Sequence, residues 1–267
     1  MTGVALSGSS GVPEPVSTQA PVLRGAVMMN QDWRDLTFLY WATDPRPLQR
    51  FMPAGVRPDT FEGHSYVGLI PFRMVSAGFR RGPGVRWAGT FLETNVRLYS
   101  VDEMGRRGIV FLSLDTNRSL VVAGARLGFG LPYRWARMRH TATVEGVHRY
   151  TAQLRWPGAR AESRVGVRVG APREATALDT FLTARWGLHV RHLGRTFYVP
   201  NAHPPWPLRH AEVVELDDSL MRSVGFGDLA LRPPDHVAFS AGVHTEFGLP
   251  ERSDSGRRTQ RWTSRRL

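Results

Sequence analysis

The sequence predicts an α+β fold that is mainly β, built as a curved antiparallel sheet or barrel with a few short helices. Segments of strand length, either alternating or wholly apolar, recur from residue 65 to residue 244. Segments with a helical start signal are few and short. Order is expected to begin near Asn30, where Trp33, Leu36 and Phe38 open the first dense apolar group.

Strands make up most of the predicted elements. The segment 91–101 alternates between two faces, and 109–115 is almost wholly apolar, which is typical of a strand covered on both sides. Segments 148–155 and 162–169 alternate as a hairpin pair would, with turn residues between them. The predicted strands are 65–74, 91–101, 109–115, 148–155, 162–169, 210–216 and 236–244.

Short helices are predicted at 45–52, 119–126, 178–186 and 218–224. Asp44 is expected to cap the first of them, with Pro45 at its first helical position. Asp179 is expected near the start of the third, where a negative charge favours the helix dipole.

The chain is divided into a flexible leader (1–27), a single domain (28–249) and a basic flexible tail (250–267). The leader is rich in Gly, Ser, Pro, Val and Ala without a period, and the tail carries arginines among Ser, Thr and Gly. We find no internal repeat and no linker within the central region, so one domain is expected there.

Composition excludes several kinds of chemistry. The 267 residues contain no cysteine, and each of the 35 basic residues counted as Lys or Arg is arginine. Disulfides, thiolate metal sites and a cysteine nucleophile are therefore excluded, and so is a lysine Schiff base. The chain has no apolar run long enough to cross a membrane and no secretory signal, which predicts a cytoplasmic protein without membrane insertion.

The formal charge of +12 permits contact with nucleic acid or anionic lipid. However, the arginines are scattered outside the tail, and no helix-turn-helix, zinc finger or RNA-binding signature is present. No specific nucleic-acid partner is therefore expected. The oligomeric state stays open.

Three polar residues at spacing two, Glu93, Asn95 and Arg97, share one face of the predicted strand 91–101. This face is either solvated or lines a cavity. In a cavity, Arg97 would bind an anion and Glu93 would serve as general acid or base.

Two further segments contain candidate site residues. Arg126 precedes the turn Gly130-Leu-Pro-Tyr133, and its default position is on the surface. The segment His203-Pro-Pro-Trp206-Pro is stiffened by prolines, so it is either a packed loop or a support for His203 as base or ligand. The histidine spacings carry no recognised carboxylate, and neither a metal nor a cofactor is predicted.

The combination of motifs resembles the YqjF-like family of uncharacterised bacterial proteins. The resemblance runs from about residue 29 to 248 and rests on the order and spacing of its motifs together. These are Gln31-x-Trp33, Phe51-Met-Pro-Ala-Gly-Val, Asp59-Thr-Phe-Glu-Gly63, Val67-Gly-Leu-Ile-Pro-Phe72, Phe91-x-Glu93-x-Asn95-Val-Arg97-x-Tyr99, Phe111-x-Ser113-Leu-Asp115, Gly130-Leu-Pro-Tyr133 and His203-x-Pro-Trp-Pro-Leu208.

The resemblance implies a fold similar to that of acetoacetate decarboxylase, a curved β-barrel or cone around a central cavity. In those decarboxylases an arginine precedes a Gly-x-Pro-Lys-Lys stretch whose first lysine forms the Schiff base. Arg126 looks like that arginine, whereas Tyr133 stands at the position of the Schiff-base lysine and Arg134 at its neighbour. A phenol cannot form an iminium, so that decarboxylation chemistry is expected to be absent.

Three hypotheses follow, in decreasing order of preference. The first is a small-molecule site for an anionic or carbonyl compound, with Glu93, Tyr133 and His203 as catalytic residues and Asn95, Arg97, Arg126 and Trp206 as ligand-binding residues. Its reaction would be a non-covalent lyase, hydratase or isomerase step through an enol. The second is a non-catalytic binding or sensing protein, and the third is a surface role of the basic tail.

Overall fold

A computed structural model describes residues 11–85, 89–158 and 160–253. The strands are β1 Val27–Thr43, β2 Val56–Pro58, β3 Ser65–Phe79, β4 Phe91–Asp102, β5 Arg107–Thr116, β6 Tyr133–Ala142, β7 Val147–Leu154, β8 Glu162–Pro172, β9 Gly187–His192, β10 Arg195–Ala202, β11 Leu208–Asp218, β12 His236–Gly248 and β13 Glu251–Arg252. The helices are α1 Ser119–Phe129, α2 Ala177–Thr183 and α3 Leu220–Ser223, with 3₁₀ turns at Arg46–Phe51 and Leu229–Leu231. The predicted mainly β fold with few short helices is confirmed.

One sheet contains all of these strands, in the order β13-β10-β9-β5-β6-β7-β8-β11-β12-β1-β3-β4-β2. Two further pairings, β5 with β4 and β10 with β12, connect strands that are distant in this order, so the sheet is ring-like. Most pairings are antiparallel, including the predicted hairpin of β7 and β8. Two parallel pairings occur in the described ranges, where β5 lies beside β6 and beside β9.

The parallel pairing of β5 with β6 determines where α1 lies. Parallel neighbours cannot be joined by a tight turn and need a crossover, which is usually a helix. Here α1 is that crossover: β5 ends at Thr116, α1 follows, and β6 then begins at Tyr133 beside Leu114. The helix therefore packs over β5 and β6.

The central strands β1, β3 and β4 are covered on both faces, so that alternate residues enter two different cores. Phe38 and Tyr40 enter what we call the cavity-side core, whereas Leu39 and Trp41 enter the opposite core. The cavity-side core also contains Ile70, Phe72, Phe91, Leu188 and Val199. The opposite core also contains Val67, Leu69, Val96, Leu98, Val167 and Met221.

The first strand is the main element that the sequence pattern does not predict. β1 spans 17 residues, and Phe38 to Trp41 are fully buried, so its sequence lacks a polar face that would reveal the period of two. The strands β2, β6, β9, β10 and β13 are likewise unpredicted.

Helical segments occur at the four predicted places: α1 begins at the predicted residue and ends three residues later, and the other three segments are shorter or shifted. Asp179 lies in the first turn of α2, as expected, and forms a capping box with the cap residue Thr176, whose hydroxyl accepts from the Asp179 amide at 3.1 Å. The first predicted helix is a 3₁₀ turn with Pro45 as its cap residue; Asp44 Oδ1 accepts from the amide of Arg46 at 2.9 Å.

Parts of the predicted leader and tail lie outside the described residues, namely 1–10 and 254–267. Within the described part, the amide of Glu14 donates to the carbonyl of Gly105 at 2.9 Å, and β13 pairs with β10. The domain limits 28 and 249 stay a prediction. No helix in the described ranges has both the length and the apolar character needed to span a bilayer.

Candidate functional site

A cavity of about 570 Å³ lies between the central strands and α1. Side chains of β1, β3, β4, β5, β9, β10 and α1 form its walls, and most of them are apolar. Five of the predicted site residues belong to its lining. Glu93, Asn95, Arg97, Tyr133 and Trp206 all line it, so the polar face of β4 borders a cavity.

Glu93 is the carboxyl group of this cavity. Its side chain is only 3% exposed, and the Tyr133 hydroxyl donates to its Oε2 at 2.8 Å. Burial raises the pKa of Glu93 to about 8, although hydrogen bonds from Tyr133 and Asn95 oppose this rise. With this pKa, Glu93 is largely protonated at neutral pH.

Tyr133 holds the Glu93 carboxyl in place from the first residue of β6. Burial, followed by the neighbouring Glu93, raises the pKa of Tyr133 well above its usual value. The phenol therefore stays protonated and acts as a hydrogen-bond donor.

Arg97 supplies the positive charge of the cavity. Its Nη2 donates to the Tyr40 hydroxyl at 2.8 Å, to the Tyr99 hydroxyl at 3.2 Å and to the Leu182 carbonyl at 3.3 Å. Its Nε has no partner among the described residues. Arginine remains charged in proteins, and the hydrogen-bond partners that the structure describes for this buried cation are all neutral groups.

The other two buried arginines of the described part are paired differently. Arg134 forms a two-pronged contact with Asp115, at 2.6 and 2.7 Å, and Arg185 Nη1 lies 2.6 Å from Asp59 Oδ2. Arg97 has no carboxylate within salt-bridge distance in the described ranges. A buried charge without a counterion is costly, and among these three arginines Arg97 is the exception.

Two more buried polar atoms at the cavity lack partners in the described part of the chain. They are Asn95 Oδ1 and Trp33 Nε1. Buried polar atoms are rarely unpaired, so each such atom requires an explanation. With Arg97 Nε, they offer one acceptor and two donors to a guest.

Arg126 does not line the cavity, in contrast to its predicted role. Its Nη1 donates to the Tyr133 carbonyl at 2.8 Å, and its guanidinium lies 4.8 Å from the centre of the Trp156 ring. The residues of α1 that do line the cavity include Val121, Gly124 and Ala125. Arg126 follows Ala125 by about 100° of helix rotation, which carries it off this face.

His203 also lies behind the lining and not in it. Its ring centre is 4.6 Å from that of Trp186 and 5.1 Å from that of Trp206, and Nδ1 donates to the Pro204 carbonyl at 2.8 Å. Burial lowers the pKa of His203 to about 4, so the ring is neutral at neutral pH. Trp206 itself stacks on Trp33 at 5.7 Å, and the predicted catalytic role of His203 stays a prediction.

Gln31 and Trp33 line the cavity as well and were not among the predicted site residues. Their spacing of two, which places both on one face of a strand, was the available signal.

A buried Ser–His–Asp contact lies elsewhere in the molecule. Ser100 Oγ is 2.8 Å from His189 Nδ1, and Asp102 Oδ2 is 3.5 Å from His189 Nε2. All three residues are at most 2% exposed, and none lines the cavity. A substrate therefore cannot reach the serine, and the contact is structural. The described residues contain no group of three His, Cys, Asp or Glu side chains suited to a metal.

Comparison with known sequences identifies a family. A model described as DUF2071, an uncharacterized conserved protein, matches residues 30–244. The uncharacterized protein YqjF of Bacillus subtilis (strain 168) is 32% identical over 190 residues, which cover 70% of this chain and 78% of that protein.

Comparison with solved structures identifies the fold. An acetoacetate decarboxylase-like enzyme from Sphingomonas wittichii RW1 is similar with a TM-score of 0.58 at 15% identity, covering 85% of this chain and 93% of its own. The acetoacetate decarboxylase of Legionella pneumophila gives 0.56 at 14% identity, covering 94% and 98%. The enduracididine biosynthesis enzyme MppR, complexed with pyruvate, gives 0.55 at 14%, covering 92% and 98%. These likenesses establish an acetoacetate-decarboxylase-like fold.

Proposed function

The chain belongs to the DUF2071 family, and we propose that its cavity binds a small carboxylate or carbonyl compound on which Glu93 performs acid–base chemistry. The observation that carries this proposal is Arg97, a buried guanidinium that lines the cavity without a carboxylate partner in the described ranges. A ligand carboxylate at Arg97 Nε would supply the missing negative charge and occupy the unpaired donor.

The reaction proposed for Glu93 is an enolisation without a covalent intermediate. The protonated carboxyl gives its proton to the carbonyl oxygen of the ligand, and the resulting carboxylate then takes a proton from the adjacent carbon. The ketone becomes an enol, and Glu93 ends in its starting state. A lyase, hydratase or isomerase step could proceed from this enol, while Tyr133 keeps the carboxyl in position.

A Schiff-base route does not compete with this scheme. The chain contains no lysine, and Tyr133 occupies the place where the decarboxylase-like sequence pattern has its reactive lysine. The ligand class has support from the fold, since MppR is described in complex with pyruvate, a 2-oxo acid. Arg126 has no part in the proposal because its guanidinium points to Trp156.

The second candidate function is binding or sensing without catalysis. The cavity lining favours this function because it is mostly apolar. Glu93 is the only carboxyl group of the described lining, so the lining offers no second carboxyl group for acid–base chemistry. In that case the neutral Glu93 would act only as a hydrogen-bond donor to the ligand. A cytoplasmic location and the lack of a specific nucleic-acid partner stay predictions.

Solvent exchange separates the two candidates without knowledge of the product. Pyruvate and acetoacetate are incubated with the protein in D₂O, and NMR follows deuterium uptake beside the carbonyl. Catalysis predicts uptake above the buffer rate, lost in Glu93→Gln but retained in the control Glu145→Gln, whose carboxylate is exposed.

Thermal shifts measured on the same samples report binding. Stabilisation of both variants without deuterium uptake by the parent would favour the binding protein. No stabilisation by either compound would contradict the proposed ligand class.

A borohydride trap checks the lysine argument. When borohydride is added to the protein with acetoacetate, mass spectrometry is expected to find no adduct on any side chain, because arginine does not form an iminium. A stable adduct on a side chain would overturn the non-covalent scheme.

A further inference from the structure

One face of α1 borders the cavity and contains small residues. Leu120, Val121, Gly124, Ala125 and Gly128 line the cavity, and their spacing places them on one side of the helix. Glycine is a poor residue for a helix interior, so two glycines on this face require a reason.

Close packing against the protein is not that reason. A Cβ built on Gly124 or on Gly128 would meet no atom within 4 Å. By contrast, a Cβ on Gly108 or Gly187 would lie within 3 Å of a neighbouring atom, so those glycines are needed for space. Both glycines of α1 are exposed and belong to the cavity lining, so they leave open space at that lining which no described side chain fills.

The buried charge of the cavity lies away from its opening. Arg97 lies at the inner end, against the buried Tyr40 and Tyr99. At the outer end the lining includes Phe79 and Leu120, which are 74% and 71% exposed and therefore mark the opening. Between Arg97 and Phe91, β4 extends roughly 20 Å at the usual rise per residue.

The size of the cavity exceeds that of a short keto acid. One water molecule occupies about 30 Å³ of liquid, so roughly 15 to 20 non-hydrogen atoms fit into this space. The volume of about 570 Å³ is also typical of sites for larger organic ligands.

We propose that the guest of this cavity has a polar carbonyl or carboxylate head at Arg97 and an extended apolar tail that packs against the glycine face of α1. The proposal rests on the proposed function for its head group, and it adds the chemical class of the remainder. The unpaired donor Arg97 Nε holds the head, and the space beside Gly124 and Gly128 takes the tail.

A homologous series of straight-chain acids tests the tail. Calorimetry with butanoate, hexanoate, octanoate and decanoate is expected to show affinity rising by about fourfold per added methylene until the chain reaches the opening. An affinity that does not change with chain length would overturn the inference.

Substitutions on α1 test where the tail lies. Gly124→Leu and Gly128→Leu place a side chain in the open volume and keep a good helix former, so decanoate affinity should fall at least tenfold while butanoate affinity is unchanged. Ala123→Leu adds the same bulk at an exposed position of α1 outside the cavity lining, so this control should retain the decanoate affinity. Unchanged decanoate binding in both Gly124→Leu and Gly128→Leu would show that the tail does not contact α1.

The head group is tested separately with Arg97→Gln and with alcohols of the same chain lengths. If chain length matters but the parent and Arg97→Gln bind octanoate and octanol alike, the proposed anion site fails and the apolar tail site remains. If Arg97→Gln abolishes butanoate binding but longer chains bring no gain, the proposed function stands and the inference on the tail fails.

Discussion

The two faces of β4 have opposite properties although one strand carries both. Val96 and Leu98 point into the opposite core, where they are fully buried among apolar side chains. Glu93, Asn95 and Arg97 point to the cavity, where two of these three residues contain a polar atom without a partner in the described part. A strand with a period of two can thus support a closed core on one side and an incompletely satisfied site on the other.

Substitutions of the buried arginines are expected to give the largest difference in stability between paired and unpaired sites. Arg134→Gln leaves Asp115, which is 0% exposed, without its cationic partner, and the expected loss is about 3 to 5 kcal/mol of unfolding free energy. Arg97→Gln removes a charge that has no counterion, so its expected cost is about 1 kcal/mol or less. Urea denaturation of both variants measures the difference.

Equal losses in the two variants would show that Arg97 is as well compensated as Arg134. That result would remove the main argument for an anion site.

Truncation of one apolar residue in the opposite core and one at the cavity wall compares how well the two regions are packed. Leu98→Ala, in the opposite core, is expected to cost about 2 to 5 kcal/mol because it creates a new void. Leu188→Ala, at the cavity wall, should cost clearly less, since Leu188 already borders empty space and loses fewer contacts. Thermal unfolding of the two variants tests this, and a larger loss at Leu188 would mean that the cavity is closed in solution.

Glu93 gives a smaller effect that depends on pH. Burial raises the pKa of Glu93 from 4.5 to about 8, so within this range the folded protein holds a proton that the unfolded chain has lost. The unfolding free energy therefore falls as pH rises through this window. Relative to Glu93→Gln, the parent should lose up to about 1.4 kcal/mol per pH unit there.

The measurement is denaturation of parent and variant in a series of buffers, with Glu145→Gln as the exposed control. Curves for the parent and Glu93→Gln that run parallel from pH 4.5 to 8 would place the pKa of Glu93 near its ordinary value.

The alternating sequence pattern predicts which side chains of β4 share a face, but it does not predict the surroundings of that face. Alternation along 91–101 places Glu93, Asn95 and Arg97 on one face, and the structure has them on one face. Alternation alone does not indicate what lies opposite that face, so the pattern leaves open whether the face is solvated or enclosed.

Features that depend on helix rotation and chain crossing were not accessible from the pattern. Arg126 and Gly124 lie two residues apart on α1, yet only Gly124 faces the cavity. Their orientation is determined by the crossover from β5 to β6, whose parallel pairing the sequence pattern does not indicate. The empty space beside Gly124 is likewise a property of the packed fold.

A crystal structure of the protein with octanoate tests the central claim most directly. The account predicts a carboxylate oxygen at about 3 Å from Arg97 Nε and the methyl end of the chain beside α1. Octanoate bound with its carboxylate at the opening, or a cavity that stays empty at saturating octanoate, would contradict it.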